Sequence, residues 1–408
     1  MYRSAPPPEP NARAQAPRRL RGRDIVCVGF ADWDAELWTN QQHLMSRLAQ
    51  DNRVLFVESL GLRQPQLAGR DVSRVVRRLR RGFAGPRMRD GVHVLSPLVI
   101  PMHRYAAVRA LNRRLLRRLI RRATRRLGFQ RPIVWAYVPQ AEALLDVLVP
   151  AVVVYHCVDD IAAQPGVDAA SFRAAEQRFA RRADLVLVSA PALGRRLRPI
   201  AANVIEAPNV ADTERFAQAL EPGPIDPALR DLPPPRIVFT GAVVATKVDF
   251  GLLGELARLR PSWSFVLVGP VGPGDPSTDV SPLRAQPNIH LLGPRRHADL
   301  PLLLRGADAG IIPYARNALT ESIFPMKVYE YLAAGLPVVA TELPALADVP
   351  EVETAPDAEG MVALLDSALA PATQEARKQR SRTVAAHSWD RRLEEIALAI
   401  DGLGRTRD

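Results

Sequence analysis

Pro325-Met326-Lys327-Val328-Tyr329-Glu330-Tyr331-Leu332-Ala333-Ala334-Gly335-Leu336-Pro337-Val338-Val339-Ala340-Thr341 reads as a short helix, a hard stop and a buried strand. Pro325 suits a first helical position, where its missing N–H is not needed. Gly335 suits the left-handed residue just past a helix end, and Pro337 prevents continuation. Val338-Val339-Ala340 follows as an apolar strand. Lys327 is out of place by simple electrostatics, because a cation in the first turn meets the positive end of the helix dipole. An anion bound there, held by free backbone N–H groups and the lysine together, removes the conflict. Glu330 lies one turn along on the same face. A carboxylate so placed can accept two hydrogen bonds from vicinal hydroxyls, as acids do on a ribose. Phosphate and ribose together point to a nucleotide. The plain alternative is a surface Lys–Glu pair three residues apart.

The run resembles the nucleotide-sugar helix of GT-B glycosyltransferases, in particular the retaining GT4-like group and its teichuronic-acid-type members in surface polysaccharide synthesis. Glu330 through the Gly335-Leu-Pro337-Val-Val turn and strand carries the second half of that pattern. The first half departs from it. Ser322 stands where the family's first acid should be, and Glu321 is one residue out of register. In the family that first acid contacts the donor sugar. Other landmarks recur in order: Arg236-Ile-Val-Phe-Thr-Gly241, Ser264-Phe-Val-Leu-Val-Gly269, Asn288-Ile-His-Leu-Leu-Gly293, Ala307 to Tyr314, Ala183 to Ser189, Pro208-Asn209-Val210 (the family's Gly replaced by Val210), and His387-Ser-Trp389. The resemblance implies an α/β GT-B fold: two Rossmann-like domains with parallel sheets facing across a cleft, and a C-terminal helix crossing back to the first domain.

The order of apolar strand runs and helical stretches independently gives parallel sheets covered on both faces. At 408 residues and 47% hydrophobic, the chain can bury two cores. A proline-rich connection from Glu221 to Pro235 marks the boundary. The expected division is a basic arm at 1–23, a first, acceptor-side domain at 24–220, a linker at 221–235, a nucleotide-sugar domain at 236–386, and a returning helical segment at 387–408. The arm is rich in Pro, Ala and Arg and lacks any period, which predicts disorder. Cys27 and Cys157 sit in apolar runs and read as small buried hydrophobes. No apolar run is long enough to span a bilayer and no signal-peptide core is present, so a cytoplasmic protein is expected.

Net charge is +12 and the pI is near 10.5. Arginines crowd the stretch from Arg104 to Arg126, where Val108, Leu111, Leu115 and Leu119 follow one helical stripe with Leu116 and Ile120 beside it. Val72 to Arg81 is a second basic stretch. A basic amphipathic helix suits an anionic membrane surface, which predicts a peripheral location at the inner face of the cell membrane. A solvated arginine face is the plain alternative. Nucleic acid is not expected, because no zinc-finger, helix-turn-helix or RNP signature accompanies the charge.

Sites in open α/β sheets form beyond the carboxyl ends of strands, so the candidate residues are those at such ends. His156-Cys157-Val158-Asp159-Asp160 follows the Val152–Tyr155 run, and the resemblance implies a donor-contacting histidine there. Asp159 and Asp160 hold the imidazole or the acceptor, or merely cap the next helix. The loop after the first strand offers Asp32, Trp33, Trp38, Asn40 and His43 as acceptor-side groups; in the plain reading Asn40 and Gln41 only open the following helix. Gly241 lets the backbone approach a phosphate. Lys247 supplies a second cation beside Lys327, and the two replace the metal used by other transferases. Asp32-Trp33-Asp34 has metal-motif spacing but lies in the first domain, so it reads as a loop feature and no cofactor or metal is expected. The donor site is thus Gly241, Lys247, Ser322, Lys327 and Glu330, with His156, Asp159 and Lys327 nearest the chemistry. The resemblance implies retention of anomeric configuration; with no evident nucleophile, a front-face route is expected. The expected activity is transfer of a sugar from a nucleotide-diphosphate sugar to a membrane-associated glycan or lipid-linked acceptor. A sugar-nucleotide epimerase of the same fold, or an inactive scaffold, are the competing readings.

Overall fold

A computed structural model describes residues 20–35, 37–58, 85–97, 105–164, 166–273, 275, 277–370 and 373–404. Most of the basic arm and the Val72 to Arg81 stretch lie outside the described residues. The first sheet has eight strands: β1 (Asp24–Val28), β2 (Arg53–Val57), β3 (Arg87–Arg89), β4 (Val92–Leu95), β5 (Ile133–Ala136), β6 (Val152–Cys157), β7 (Leu185–Val188) and β8 (Val204–Glu206). Their order is β3-β4-β2-β1-β5-β6-β7-β8. Only β3 runs antiparallel, against β4. The second sheet is wholly parallel, with β9 (Arg236–Thr240), β10 (Ser264–Val268), β11 (Ile289–Leu291), β12 (Ala309–Ile312), β13 (Val338–Thr341) and β14 (Val352–Ala355) in the order β11-β10-β9-β12-β13-β14.

Both sheets reverse their winding beside a central first strand. β1 lies between β2 and β5, and β9 between β10 and β12. Crossovers to opposite faces leave a crevice at such a point, beyond the carboxyl strand ends. The central strands are apolar on both faces because helices cover both. Every residue of β1, β5 and β13 is buried, as is all of β12.

The Lys327–Ala333 helix ends as its sequence dictates. Gly335 has φ +77°, its N–H donates to the Leu332 carbonyl at 2.9 Å, and the Leu336 N–H donates to Tyr331 at 3.0 Å. These are the two bonds of a Schellman stop. A side chain at 335 would also strike Leu220 and the Arg377 backbone. Pro325 sits one residue before the Met326 N-cap instead of inside the helix.

Two differences from the sequence reading matter. The Ala106–Arg126 helix docks through Asn112, Leu116, Ile120, Ala123 and Thr124, leaving Leu111 and Leu115 about 43% and 40% exposed. The buried stripe is therefore displaced by one position from the Val108–Leu119 stripe, because the leucine-rich rows on either side are equally apolar and only the sheet selects one. The crossing between domains also begins before Glu221. The Thr213–Ala217 helix packs on the Lys327–Ala333 helix, and the turn after it packs on the Leu300–Arg305 helix. At the far end, the Trp389–Gly404 helix returns to the Asn40–Leu48 helix of the first domain. Among the described residues, no helix is long and apolar enough to cross a membrane.

Candidate active site

Two glycines open the carboxyl end of the second sheet. Gly241 follows β9 with φ +133°, and Gly269 follows β10 with φ +155°. A Cβ on Gly269 would lie 1.9 Å from the Gly241 carbonyl oxygen, so the two strand ends approach because Gly269 carries no side chain. Lys327 reaches this turn. A Cβ built on Gly241 would stand 3.4 Å from both Cε and Nζ of Lys327. The ammonium donates to the Tyr314 hydroxyl at 2.9 Å. It also lies 5.1 Å from the ring centroids of both Phe239 and Tyr314. Two aromatic faces and a hydroxyl thus hold a cation over the glycine turn.

The helix that carries Lys327 is anchored through the residue one turn later. Tyr331 is fully buried; its hydroxyl accepts from the Thr240 N–H at 2.7 Å and lies 3.0 Å from the Thr240 hydroxyl. Its ring lies against Gly310 of β12, where a Cβ would meet ring carbon at 2.3 Å. β9 and β12 therefore fix the height and rotation of the helix, and with them Lys327 and Glu330. Glu330 is buried, and no hydrogen bond to its carboxylate exists among the described residues. Burial pushes its pKa up to about 7, with Lys327 pulling the other way. The residue as a whole is buried, yet neither carboxylate oxygen is among the fully enclosed polar atoms, so the group stays within reach of hydroxyl donors from outside.

Ser322 is buried in the turn Thr320–Ser322, while Glu321 is exposed. Lys247 is half-buried in the loop after β9, its carbonyl accepting from Ala315 at 2.9 Å. It faces the first domain, where it acts electrostatically on Asp159. Burial raises the Asp159 carboxyl; Lys247 opposes this and Asp160 adds to it. Asp160 is ion-paired to Arg173, which also reaches Glu176.

His156 is not at an open strand end. It lies within β6, opposite Leu187 of β7, and is 2% exposed. Its ring stacks on Tyr137, with centroids 4.9 Å apart. Burial, aided by Arg392, lowers its pKa to about 3, so it is neutral at physiological pH. Among the described residues neither ring nitrogen has a hydrogen-bond partner. The strand extends two residues beyond Tyr155 because His156 and Cys157 keep the β7 ladder, and this carries the imidazole under the Tyr137 ring.

The loop after β1, expected to line the acceptor side, also differs from the sequence reading. Trp33 offers no open face: it is 1% exposed and its indole donates to Asp90 at 2.9 Å. Trp38 is half-buried between Trp33 and His43. His43 belongs to the domain junction, stacked on Trp389 at 5.2 Å and 5.1 Å from His297. Asp32 is exposed, and Asp34 pairs with Arg87 at 2.9 Å, so the Asp-x-Asp spacing makes no shared site. Asn40 is buried at the start of its helix. Tyr314, Phe239 and Tyr331 were missed as site residues. Tyr314 ends the Ala307 to Tyr314 landmark, and its alignment beside Phe239 was the available signal.

Residues 234–372 match the family model described as glycosyl transferases group 1. That span contains the glycine turns, Lys247, Lys327 and Glu330. The second domain is a glycosyltransferase group 1 domain. A segment of 102 residues is 38% identical to TuaH of Bacillus subtilis (strain 168), whose assigned name is teichuronic acid biosynthesis glycosyltransferase; the match spans 25% of each chain. Solved structures share the fold over nearly the whole length. Anabaena HepE in complex with UDP has a TM-score of 0.63 at 14% identity, covering 93% of this chain and 100% of that one. Sucrose-phosphate synthase from Thermosynechococcus elongatus has 0.65 at 15%, covering 94% and 98%. The trehalose 6-phosphate synthase of Burkholderia multivorans has 0.65 at 13%, covering 95% and 100%. The fold is GT-B, and the group 1 match lies within its second half.

Proposed function

We propose that this protein is a retaining, GT4-like glycosyltransferase that moves a sugar from a nucleotide-diphosphate sugar to a membrane-associated glycan or lipid-linked acceptor. The observation that carries the reading is a cation poised over the Gly241 turn together with the carboxylate of Glu330 one turn along the same helix. Lys327 would meet the diphosphate, with Lys247 as second cation, and Glu330 would grip the ribose. Two lysines at the leaving group supply the charge stabilisation that a metal supplies elsewhere, so divalent metal is not needed for the chemical step. Asp159 and the neutral His156 would line the first-domain side, with His156 acting only through hydrogen bonds. HepE holds UDP, and further HepE structures hold UDP with glucose and UDP-glucose, so a uridine donor is the first to try.

The Ala106–Arg126 helix gives the reading its location. Leu111 and Leu115 share their exposed face with Arg114, Arg118 and Arg122. Apolar side chains among arginines fit an anionic bilayer surface at the cytoplasmic face better than bulk water. Incubation with UDP-, GDP- and ADP-sugars, with and without EDTA, tests the enzyme. Slow hydrolysis or transfer of one donor, unaffected by chelation, is expected. Epimerised donor, or binding without turnover, would displace the transferase reading.

A further inference from the structure

Asn209 sits three residues beyond β8 and its carboxamide touches both domains. Nδ2 donates to the Phe324 carbonyl at 2.9 Å, and Oδ1 accepts from Asn40 Nδ2 at 3.0 Å. The order of these bonds is forced. A carbonyl can only accept, so Asn209 must turn its NH2 to Phe324 and its oxygen to Asn40. Asn40 must then present its own NH2. Its Oδ1 is left buried and without a partner among the described residues. The orientation of a first-domain side chain is therefore set by a second-domain carbonyl.

The two ends of this relay matter. Asn40 opens the Asn40–Leu48 helix behind the acceptor-side loop. Phe324 immediately precedes Pro325 and the helix bearing Lys327 and Glu330. Adjacent residues fasten the same junction: the Ala211 N–H donates to the His387 carbonyl at 3.2 Å, and Asp212 pairs with Arg47 at 3.4 Å.

We propose that Asn209 is a positioning residue that couples the acceptor side to the donor side. It holds Asn40 Oδ1 ready for a hydroxyl of the glycosyl acceptor only while the loop ahead of the nucleotide helix is in place. The proposal rests on the transferase reading for its ligand, but the relay itself is tested without an acceptor. Asn40→Asp removes the N–H that Asn209 needs. Asn209 can answer only by flipping, which sets its oxygen against Phe324. Asn209→Asp makes that clash directly, and Asn209→Ala removes both bonds without repulsion.

Titration calorimetry with UDP, GDP and ADP should show Asn40→Asp weakening the preferred nucleotide about fivefold from the opposite domain, the loss of one ordinary hydrogen bond. Asn209→Asp should weaken it about tenfold, and adding Asn40→Asp to Asn209→Ala should cost nothing beyond Asn209→Ala alone. Asn209→Ala should fall between wild type and Asn209→Asp. Additive losses, or an Asn40→Asp affinity within twofold of wild type beside a weakened Asn209→Asp, overturn the relay. If the wild type binds none of the three nucleotides, the transferase reading fails. The relay is then decided by urea unfolding of the same variants, where non-additive destabilisation supports it and additive destabilisation overturns it.

Discussion

Lys327 and Glu330 occupy one face of a helix but answer to different physics. Lys327 is held by the Tyr314 hydroxyl and two aromatic faces and acts on Glu330 only through its field. A charged hydrogen bond to the diphosphate is worth about 1.5–3 kcal/mol, or roughly 10- to 150-fold in affinity. Lys327→Ala should lose that much UDP binding and lose kcat too, because its attraction grows with leaving-group charge. Glu330→Gln should weaken both UDP and uridine and mainly raise donor KM. Calorimetry with UDP and uridine on both variants checks this; unchanged binding in both would reduce the pair to helix surface. The raised pKa of Glu330 adds a pH signature. Its folded value of about 7 lies above the ordinary 4.5, so the folded state holds the proton more tightly than the unfolded chain. Stability of the nucleotide-free protein is then unaffected below about 4.5 and falls as pH rises to about 7, by at most roughly 3 kcal/mol. Glu330→Gln carries no such charge and should be more stable than wild type at pH 8, with the gap closed at pH 4.5. Chemical denaturation at the two pH values decides it.

At the scale of elements, the Ala106–Arg126 helix turns an ambiguous stripe into a definite outer face. Each basic side chain near an anionic surface contributes about 1 kcal/mol, so several together give reversible binding. Replacing Arg114, Arg117, Arg118 and Arg121 by Gln should abolish sedimentation with anionic vesicles and leave donor hydrolysis unchanged. Equal sedimentation with neutral vesicles would refute the surface. The same helix shows where sequence is legible. Alternating strand and helix, the Gly335 stop and the glycine turns are local, and each was readable because backbone geometry admits few residues there. The face a helix buries depends on the sheet beneath it, so two adjacent leucine rows could not be told apart. Lys327, Glu330 and Gly241 stand out in the sequence because their chemistry conflicts with a plain surface helix or strand end, and the structure sets Lys327 over the Gly241 turn. His156 and His43 were not placed correctly, because a histidine at a strand end or helix start is equally at home in a stack, and only tertiary packing supplies Tyr137 or Trp389.

For the whole molecule, the junction between domains is built from neutral rings. His43 lies between Trp38, Trp389 and His297, and His297 meets Phe216 edge-on. Burial lowers the pKa of His43, with His297, Arg47 and Arg215 adding to the effect. Burial also lowers His297 to about 4, helped by Arg215 and opposed by Asp212. The facing charges are thus two arginines and one aspartate, and that aspartate already serves both Arg47 and Arg215. Asp299 is taken by Arg296. Protonation would place cations in a junction that has no free anion to receive them. The folded pKa of His297 lies below its ordinary 6.5, so its contribution is complete above about 6.5 and is lost as pH falls toward about 4. The loss is at most about 3 kcal/mol for this one residue. Domain docking should therefore weaken in mild acid before either sheet unfolds, since the sheet cores hold mainly apolar side chains. Scattering from the wild type should show expansion between pH 6.5 and 4.5, with a calorimetric transition that splits in two. His297→Phe keeps the packing against Phe216 without a titratable ring and should shift that expansion to lower pH. An identical pH profile in the variant would remove His297 from the junction's acid response.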